Sequence, residues 1–316
     1  MGQIAFVFPG QGSQAAGMGK VLCDSFEVAR AVYAEADAVL GLPLSQLCFE
    51  GPDEQLKLTE NTQPAILAVS TAAYRVLSEA GVRPDFVAGH SLGEYAALVA
   101  ANSLSLADAL RIVRKRGTYM QESVPVGQGA MAAILGMSAD QVEVLCREAA
   151  QGEVLSPANL NSPSQIVIAG AAAAVDRALQ LAKSHGAKKA VLLSVSAPFH
   201  CALMQPAQER LAKDLGQISF RNPEYPLINN ADAAEVCSGD AIADSLSRQV
   251  CLPVRWTESI RNLISAGVQL FVEVGPGKVL CGLIRQIDRT VRTANVEDRQ
   301  SLTQALDMAR AVKPLE

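Results

Sequence analysis

The segment Phe86-Val87-Ala88-Gly89-His90-Ser91-Leu92-Gly93-Glu94-Tyr95 decides how the rest of the chain is read. Phe86-Val87-Ala88 has the apolar character of a short strand, Gly89 to Gly93 predicts a sharp turn, and Glu94 to Ala101 a helix. Gly89-His90-Ser91-Leu92-Gly93 fits G-x-S-x-G, and a serine between strand and helix is the setting of a nucleophile elbow. The two glycines relieve crowding where the backbone doubles back, and the serine oxygen projects at the helix N-terminus. A plain strand-to-helix turn with a serine cap would carry the same letters, so other residues must complete a reactive site.

A serine becomes a nucleophile only when a base takes its proton. Three histidines are available. His90 adjoins Ser91, and neighbours in an elbow point apart, so it reads as structural. His185, in Lys183-Ser184-His185-Gly186, reads as a solvated helix C-terminus. His200 follows the turn Ser196-Ala197-Pro198-Phe199 and is expected to open a helix, whose N-terminal field disfavours the imidazolium. Elimination selects His200. A triad acid is missing: Asp108, Glu122, Asp140, Glu143, Glu148, Glu153 and Asp176 all fall on predicted helices, at helix ends or in the segment 127–195. A serine–histidine dyad oriented by a neutral group is the expectation.

The helical periodicity of Leu106–Met120 places Leu106, Ala109, Leu110, Ile112, Val113 and Met120 on one apolar stripe, with Arg116 in its middle. Arg111, Arg114 and Lys115 fall on the opposite face. A buried guanidinium requires a carboxylate or its equivalent. A structural salt bridge would serve; beside a nucleophilic serine, a substrate carboxylate would fit the bidentate fork.

With 316 residues, 49 % of them hydrophobic, the chain can bury a large core without metals or disulfides. A net charge of −5, and no basic run longer than Arg114-Lys115-Arg116, argue against nucleic acid as a partner. Seven scattered cysteines without C-x-x-C read as reduced thiols, and the histidines are too few and too distant for zinc. Met1 to Gly10 lacks the basic and long apolar regions of a signal peptide, so none is expected, and no stretch approaches the ~20 apolar residues of a membrane span. These features predict a cytoplasmic protein that binds no metal and no membrane. Monomer is the default expectation.

A strand at Ile4–Phe8 leads into the loop Gln11-Gly12-Ser13-Gln14, which lacks the lysine of a phosphate-binding loop. Helices are expected near Val21–Leu40 and from Pro64 to Ala80, the latter opened by its proline. Residues 127–195 read strand (130–135), helix opened by a capping box at Ser138 and Gln141, strands (154–159 and 165–169), helix (171–185) and strand (190–195). That β-α-β-β-α-β order is ferredoxin-like, with both ends emerging together. The division expected is therefore residues 1–126 and 196–316 as one discontinuous α/β domain, with 127–195 inserted into it. Strands are expected again near Leu227–Asn229 and Leu270–Val274, with helices between and after them.

Phe6-Val7-Phe8-Pro9-Gly10-Gln11-Gly12-Ser13-Gln14, Thr62-Gln63-Pro64-Ala65, Gly89 to Tyr95, Arg116-Gly117 with Met120-Gln121, Asn161-Ser162-Pro163, His200, Gln249 and Glu273-Val274-Gly275-Pro276-Gly277-Lys278 occur in order over nearly the whole length. In these stretches the chain resembles the bacterial malonyl-CoA:acyl-carrier-protein transacylases of fatty acid synthesis. The resemblance implies an α/β-hydrolase-like core with an inserted ferredoxin-like subdomain. It implies Ser91 as nucleophile, His200 as base, the backbone carbonyl of Gln249 orienting the ring, and the amides of Gln11 and Leu92 as oxyanion hole. It further implies Arg116 on the malonyl carboxylate, Gln63, Met120, Asn161 and Gln165 nearby, and Phe199 as the residue selecting malonyl over branched groups. The implied partners are malonyl-CoA and acyl carrier protein, with a coenzyme A thioester as substrate and no bound cofactor. A serine esterase or thioesterase would share the elbow and the dyad, a non-catalytic carrier-binding scaffold would not acylate Ser91, and a malonyl loader of a polyketide or polyunsaturated lipid pathway would share everything.

Overall fold

The computed structural model describes residues 2–195 and 197–313, so the boundaries expected at Met1, Ser196 and Glu316 lie outside the described residues. The architecture is mixed α/β with two sheets. Strands β1 (Gln3–Phe8), β2 (Phe86–Gly89), β3 (Gly129–Leu135), β4 (Leu155–Ser162), β5 (Gln165–Ala171), β6 (Lys189–Leu192), β7 (Leu227–Ile228), β8 (Glu235–Val236), β9 (Val268–Val274) and β10 (Arg292–Val296) divide between them. The larger sheet has the order β10-β9-β1-β2-β7-β8, the smaller β4-β5-β3-β6. Strand β1 runs parallel to β2 and β9 and is almost wholly buried, because helices cover both faces of a parallel sheet. Among the described residues only the β7–β8 pair breaks the parallel pattern.

The smaller sheet is antiparallel throughout, and its first and last strands, β3 and β6, lie side by side. Alternation along β3 and β5 separates its two faces. Ala132, Ile134, Ile166 and Ile168 join Val142, Leu145, Val175 and Ala178 of the helices Ala139–Ala150 and Ala172–Ala182 in a core of their own. Met131, Ala133, Gln165 and Val167 point the other way, toward the larger sheet. A backbone contact ties β4 to the segment ahead of the helix Trp256–Ser265: Leu160 N donates to Val254 O and Val254 N to Ala158 O, both 2.9 Å, forming a parallel bridge at Asn159.

Several elements depart from the sequence expectation. The helix expected to open at Pro64 runs from Thr59 to Glu79 with the proline inside it. Its start is displaced because Thr62 Oγ1 donates to Leu56 O (2.6 Å) and Leu58 O (3.1 Å), holding an extra turn. The stretch 21–40 forms two helices, Lys20–Ser25 and Glu27–Leu40, divided at Phe26, whose backbone is extended. No α-helix begins at His200; a short 3-10 turn (Ala202–Met204) precedes the helix Gln205–Leu215. The capping box at Ser138 and Gln141 forms as expected.

Candidate active site

Ser91 sits just beyond β2 with φ 52°, a left-handed conformation that a serine adopts only under constraint. The flanking glycines serve close approach. A Cβ on Gly89 would lie 1.9 Å from the carbonyl carbon of Gly93, and one on Gly93 2.0 Å from the Phe8 carbonyl oxygen. Asn230 clamps the turn from below: its Oδ1 accepts from Ser91 N (2.6 Å) and its Nδ2 donates to Gly89 O (2.6 Å).

Ser91 Oγ lies 2.7 Å from His200 Nε2, and His200 Nδ1 lies 2.8 Å from the backbone carbonyl of Gln249. A carbonyl only accepts, so Nδ1 carries the proton and neutral Nε2 is left to accept from the serine. Burial, followed by the Arg116 guanidinium, pushes the His200 pKa down to about 3. The ring is therefore neutral for reasons other than the helix end expected from the sequence. His200 also has positive φ (59°), so both members of the pair are held in left-handed turns.

Arg116 is 1 % exposed. Its Nη1 donates to Gln63 Oε1 (2.9 Å), and its Nη2 to Gln249 Oε1 (2.9 Å) and Ser91 Oγ (3.1 Å). Every acceptor is neutral, and Nε has no hydrogen-bond partner among the described residues. Burial lowers its pKa, with Tyr95 and Glu94 opposing, but an arginine remains charged in a protein. A buried cation thus faces Ser91 without a carboxylate bonded to it. Behind it, buried Glu94 accepts from Gln249 Nε2 (2.8 Å) and Asn230 N (3.0 Å), and burial pushes its pKa up to about 7.

Ser91, His200, Arg116 and Gln63 line an inner cavity of about 110 Å³, walled by Met120, Met131, Leu193, Val195 and Phe199. It shares Gln11, His90, Asn159 and Leu193 with an outer cavity of about 370 Å³. The amides of Gln11 and Leu92 donate to no other group among the described residues, and both residues line the inner cavity. Gln63 stands between Arg116 and Met120, its Nε2 3.8 Å from the Met120 sulfur.

Asn161 and Gln165 are placed differently from the expectation. Both line the outer cavity, and Asn161 Oδ1 meets His90 Nε2 at 2.8 Å. Asn159, two residues earlier on β4, lines both cavities and is the residue of this strand that reaches the inner one. His90, which reads as structural from the sequence, packs edge-on against Trp256 and borders both cavities. Sequence reasoning missed Asn159, Glu94 and Asn230. The spacing i, i+2 along a strand would have found Asn159 had β4 been extended to Ser162. His185 lies at its helix end, with Nε2 3.1 Å from Glu148 Oε2.

Among known proteins, the model of the acyl transferase domain matches residues 5–311. The malonyl CoA-acyl carrier protein transacylase of Escherichia coli is 48 % identical over 309 residues, covering 98 % of this chain and 100 % of that protein. The crystal structure of an acyl carrier protein S-malonyltransferase from Vibrio cholerae superimposes with a TM-score of 0.94 at 47 % identity, over 96 % of this chain and 99 % of that one. A malonyl-transacylase solved in complex with a type II PKS acyl-carrier protein gives 0.95 at 47 % identity, over 97 % and 99 %. With the family model matching nearly end to end and a relative of this identity covered in full, the chain belongs to the malonyl CoA-acyl carrier protein transacylase family of acyl transferases.

Proposed function

We infer that the protein transfers the malonyl group from malonyl-CoA to the phosphopantetheine thiol of acyl carrier protein through an ester on Ser91, supplying the extender for fatty acid synthesis. The observation that carries this reading is Arg116: a charged guanidinium in the cavity, 3.1 Å from Ser91 Oγ and bonded only to neutral acceptors. A substrate carboxylate supplies the missing counter-charge, and a malonyl group is short enough for its distal carboxylate and its thioester carbon to reach both residues.

In the first half-reaction His200 Nε2 takes the Ser91 proton as Oγ bonds to the thioester carbon. The amides of Gln11 and Leu92 receive the developing oxyanion. The carbon–sulfur bond breaks, and the departing coenzyme A sulfur takes the proton back from His200. In the second half the carrier thiol gives its proton to His200, its sulfur attacks the ester carbon, and Ser91 Oγ leaves reprotonated. The outer cavity, with Asn161 and Gln165 on its wall, takes the pantetheine arm common to both thioesters, and Phe199 limits substituents at the malonyl α-carbon. No bound cofactor enters the cycle. The reaction belongs in the cytoplasm, and a monomer suffices for it.

The same reading extends to architecture: an α/β-hydrolase-like core (1–126 and 196–316) with a ferredoxin-like insertion (127–195). The β4-β5-β3-β6 order and the separate core of the smaller sheet support it.

Intact-mass spectrometry tests the function. Malonyl-CoA alone should leave one malonyl adduct, carrier protein should then remove it, and Ser91→Ala should form none while keeping its fold. Release of free malonate without carrier protein would make the protein a thioesterase, and an adduct surviving in Ser91→Ala would remove Ser91 from the mechanism.

A further inference from the structure

Glu94 lies three residues past Ser91 on the helix Gly93–Ala100, is 1 % exposed, and touches neither cavity. An ionisable group there opposes ordinary burial preferences, so what it bonds to defines its use. One oxygen, Oε2, accepts from both Gln249 Nε2 and Asn230 N. Gln249 Nε2 also donates to Ser91 O (3.0 Å), while Gln249 Oε1 accepts from Arg116 Nη2 (2.9 Å).

The amide of Gln249 is thus fixed at both ends. Turned over, it would present two N–H groups to the guanidinium and its carbonyl oxygen to two acceptors, so all of its bonds would be lost together. The acceptor at Glu94 permits only one orientation. In that orientation Gln249 Oε1 holds Nη2 of Arg116, a residue of the cavity lining, while Nε and one hydrogen of Nη1 stay without a protein acceptor among the described residues. A direct carboxylate in the same place would satisfy the cation and remove its demand for a substrate anion. An amide interposed between the two charges holds the arginine without neutralising its fork.

Resting on the reading of Arg116 given above, we propose that Glu94 is a positioning residue for acyl selectivity: it aims the Gln249 amide oxygen at Arg116 and so keeps the guanidinium in register for the distal carboxylate of the substrate.

The test is the ratio of kcat/KM for malonyl-CoA to that for acetyl-CoA, with carrier protein saturating, a readout that general damage to the fold would not move. Glu94→Met removes the acceptor and should lower the ratio roughly tenfold or more, the loss expected for one charge-assisted hydrogen bond, with acetyl transfer retained within about threefold. Glu94→Gln keeps an acceptor oxygen at the same place and should hold the ratio within about threefold of wild type. Gln249→Met should reproduce the loss, and it carries the test if Glu94→Met does not fold. In an Arg116→Ala background, Glu94→Met should leave the ratio unchanged. A ratio unmoved by Glu94→Met or by Gln249→Met, an equal loss with Glu94→Gln, or a loss that persists without Arg116 would each overturn the proposal. Should Arg116→Ala alone leave the ratio intact, the reading of Arg116 itself falls, which is a separate outcome.

Discussion

His200 and Glu94 are both buried ionisable groups, and burial acts on stability through them in opposite directions. Unfolded, a histidine binds its proton below about pH 6.5; folded, His200 does not until about pH 3. The unfolded chain therefore holds more protons in that window, and stability falls as pH drops through it, by about 2 kcal/mol at pH 5. For Glu94 the folded pKa is about 7 against 4.5. Here the folded state holds the extra proton, so its cost grows as pH rises from 4.5 to 7 and levels at about 3 kcal/mol above that. Variants separate the two. Glu94→Gln should be more stable than wild type at pH 8, with the gain vanishing near pH 4.5. His200→Asn, an exchange the left-handed backbone tolerates, should lose less stability than wild type between pH 7.5 and 5. Urea unfolding at these pH values measures both, and a Glu94→Gln protein weaker than wild type at pH 8 would contradict the account.

The helices Leu106–Glu122 and Thr59–Glu79 bring Arg116 and Gln63 together, and Gly117 sets how closely they pack. A Cβ there would stand 2.7 Å from the Thr59 carbonyl oxygen, a backbone atom that cannot rotate away. Gly117→Ala should therefore part the helices, at ~1–3 kcal/mol of stability, and draw Arg116 from Gln63. Chemical denaturation and the malonyl-to-acetyl ratio should fall together; a change in stability alone would mean that Arg116 is held from elsewhere. At this scale the sequence was legible wherever periodicity was clean. The apolar stripe around Arg116, the elbow at Ser91 and the capping box at Ser138 each follow from local rules. Elements bent by tertiary contacts were not. Strand β4 shifts register between Pro157 and Asn159 and again between Leu160 and Ser162, which broke the alternation and hid Asn159. Strand β10, short and partly exposed at its start, carries little apolar signal. Glu94 escaped notice because a carboxylate in the first turn of a helix reads as a solvated charge, whereas this helix is buried along its entire length. Asn230 lies 139 residues from the serine amide it receives, a separation no local pattern reports.

Across the whole molecule, the inner cavity takes Ser91, His200 and Arg116 from the loops and helices around the larger sheet and much of its apolar wall, Met131 and Leu193 among it, from the smaller unit. The chain crosses between them on either side of 129–192, and β4 is tied further by the Ala158–Val254–Leu160 backbone bridge and by the bonds of Thr257 to Leu160 O and of Ser162 to Gln286. Two crossings alone would leave a hinge axis, which these further attachments of β4 oppose. Hydrogen exchange should find the Leu160 and Val254 amides slow in the free protein and no slower in the malonyl form. Marked slowing on acylation would mean that the halves swing. If exchange is unmoved, the cavity would work as a gauge of fixed width. An acyl group with an extra branch would then collide with standing walls rather than fail to trigger a closure. Selectivity would be decided at entry, and both half-reactions, with coenzyme A or with the carrier arm, would meet the same unmoving seat.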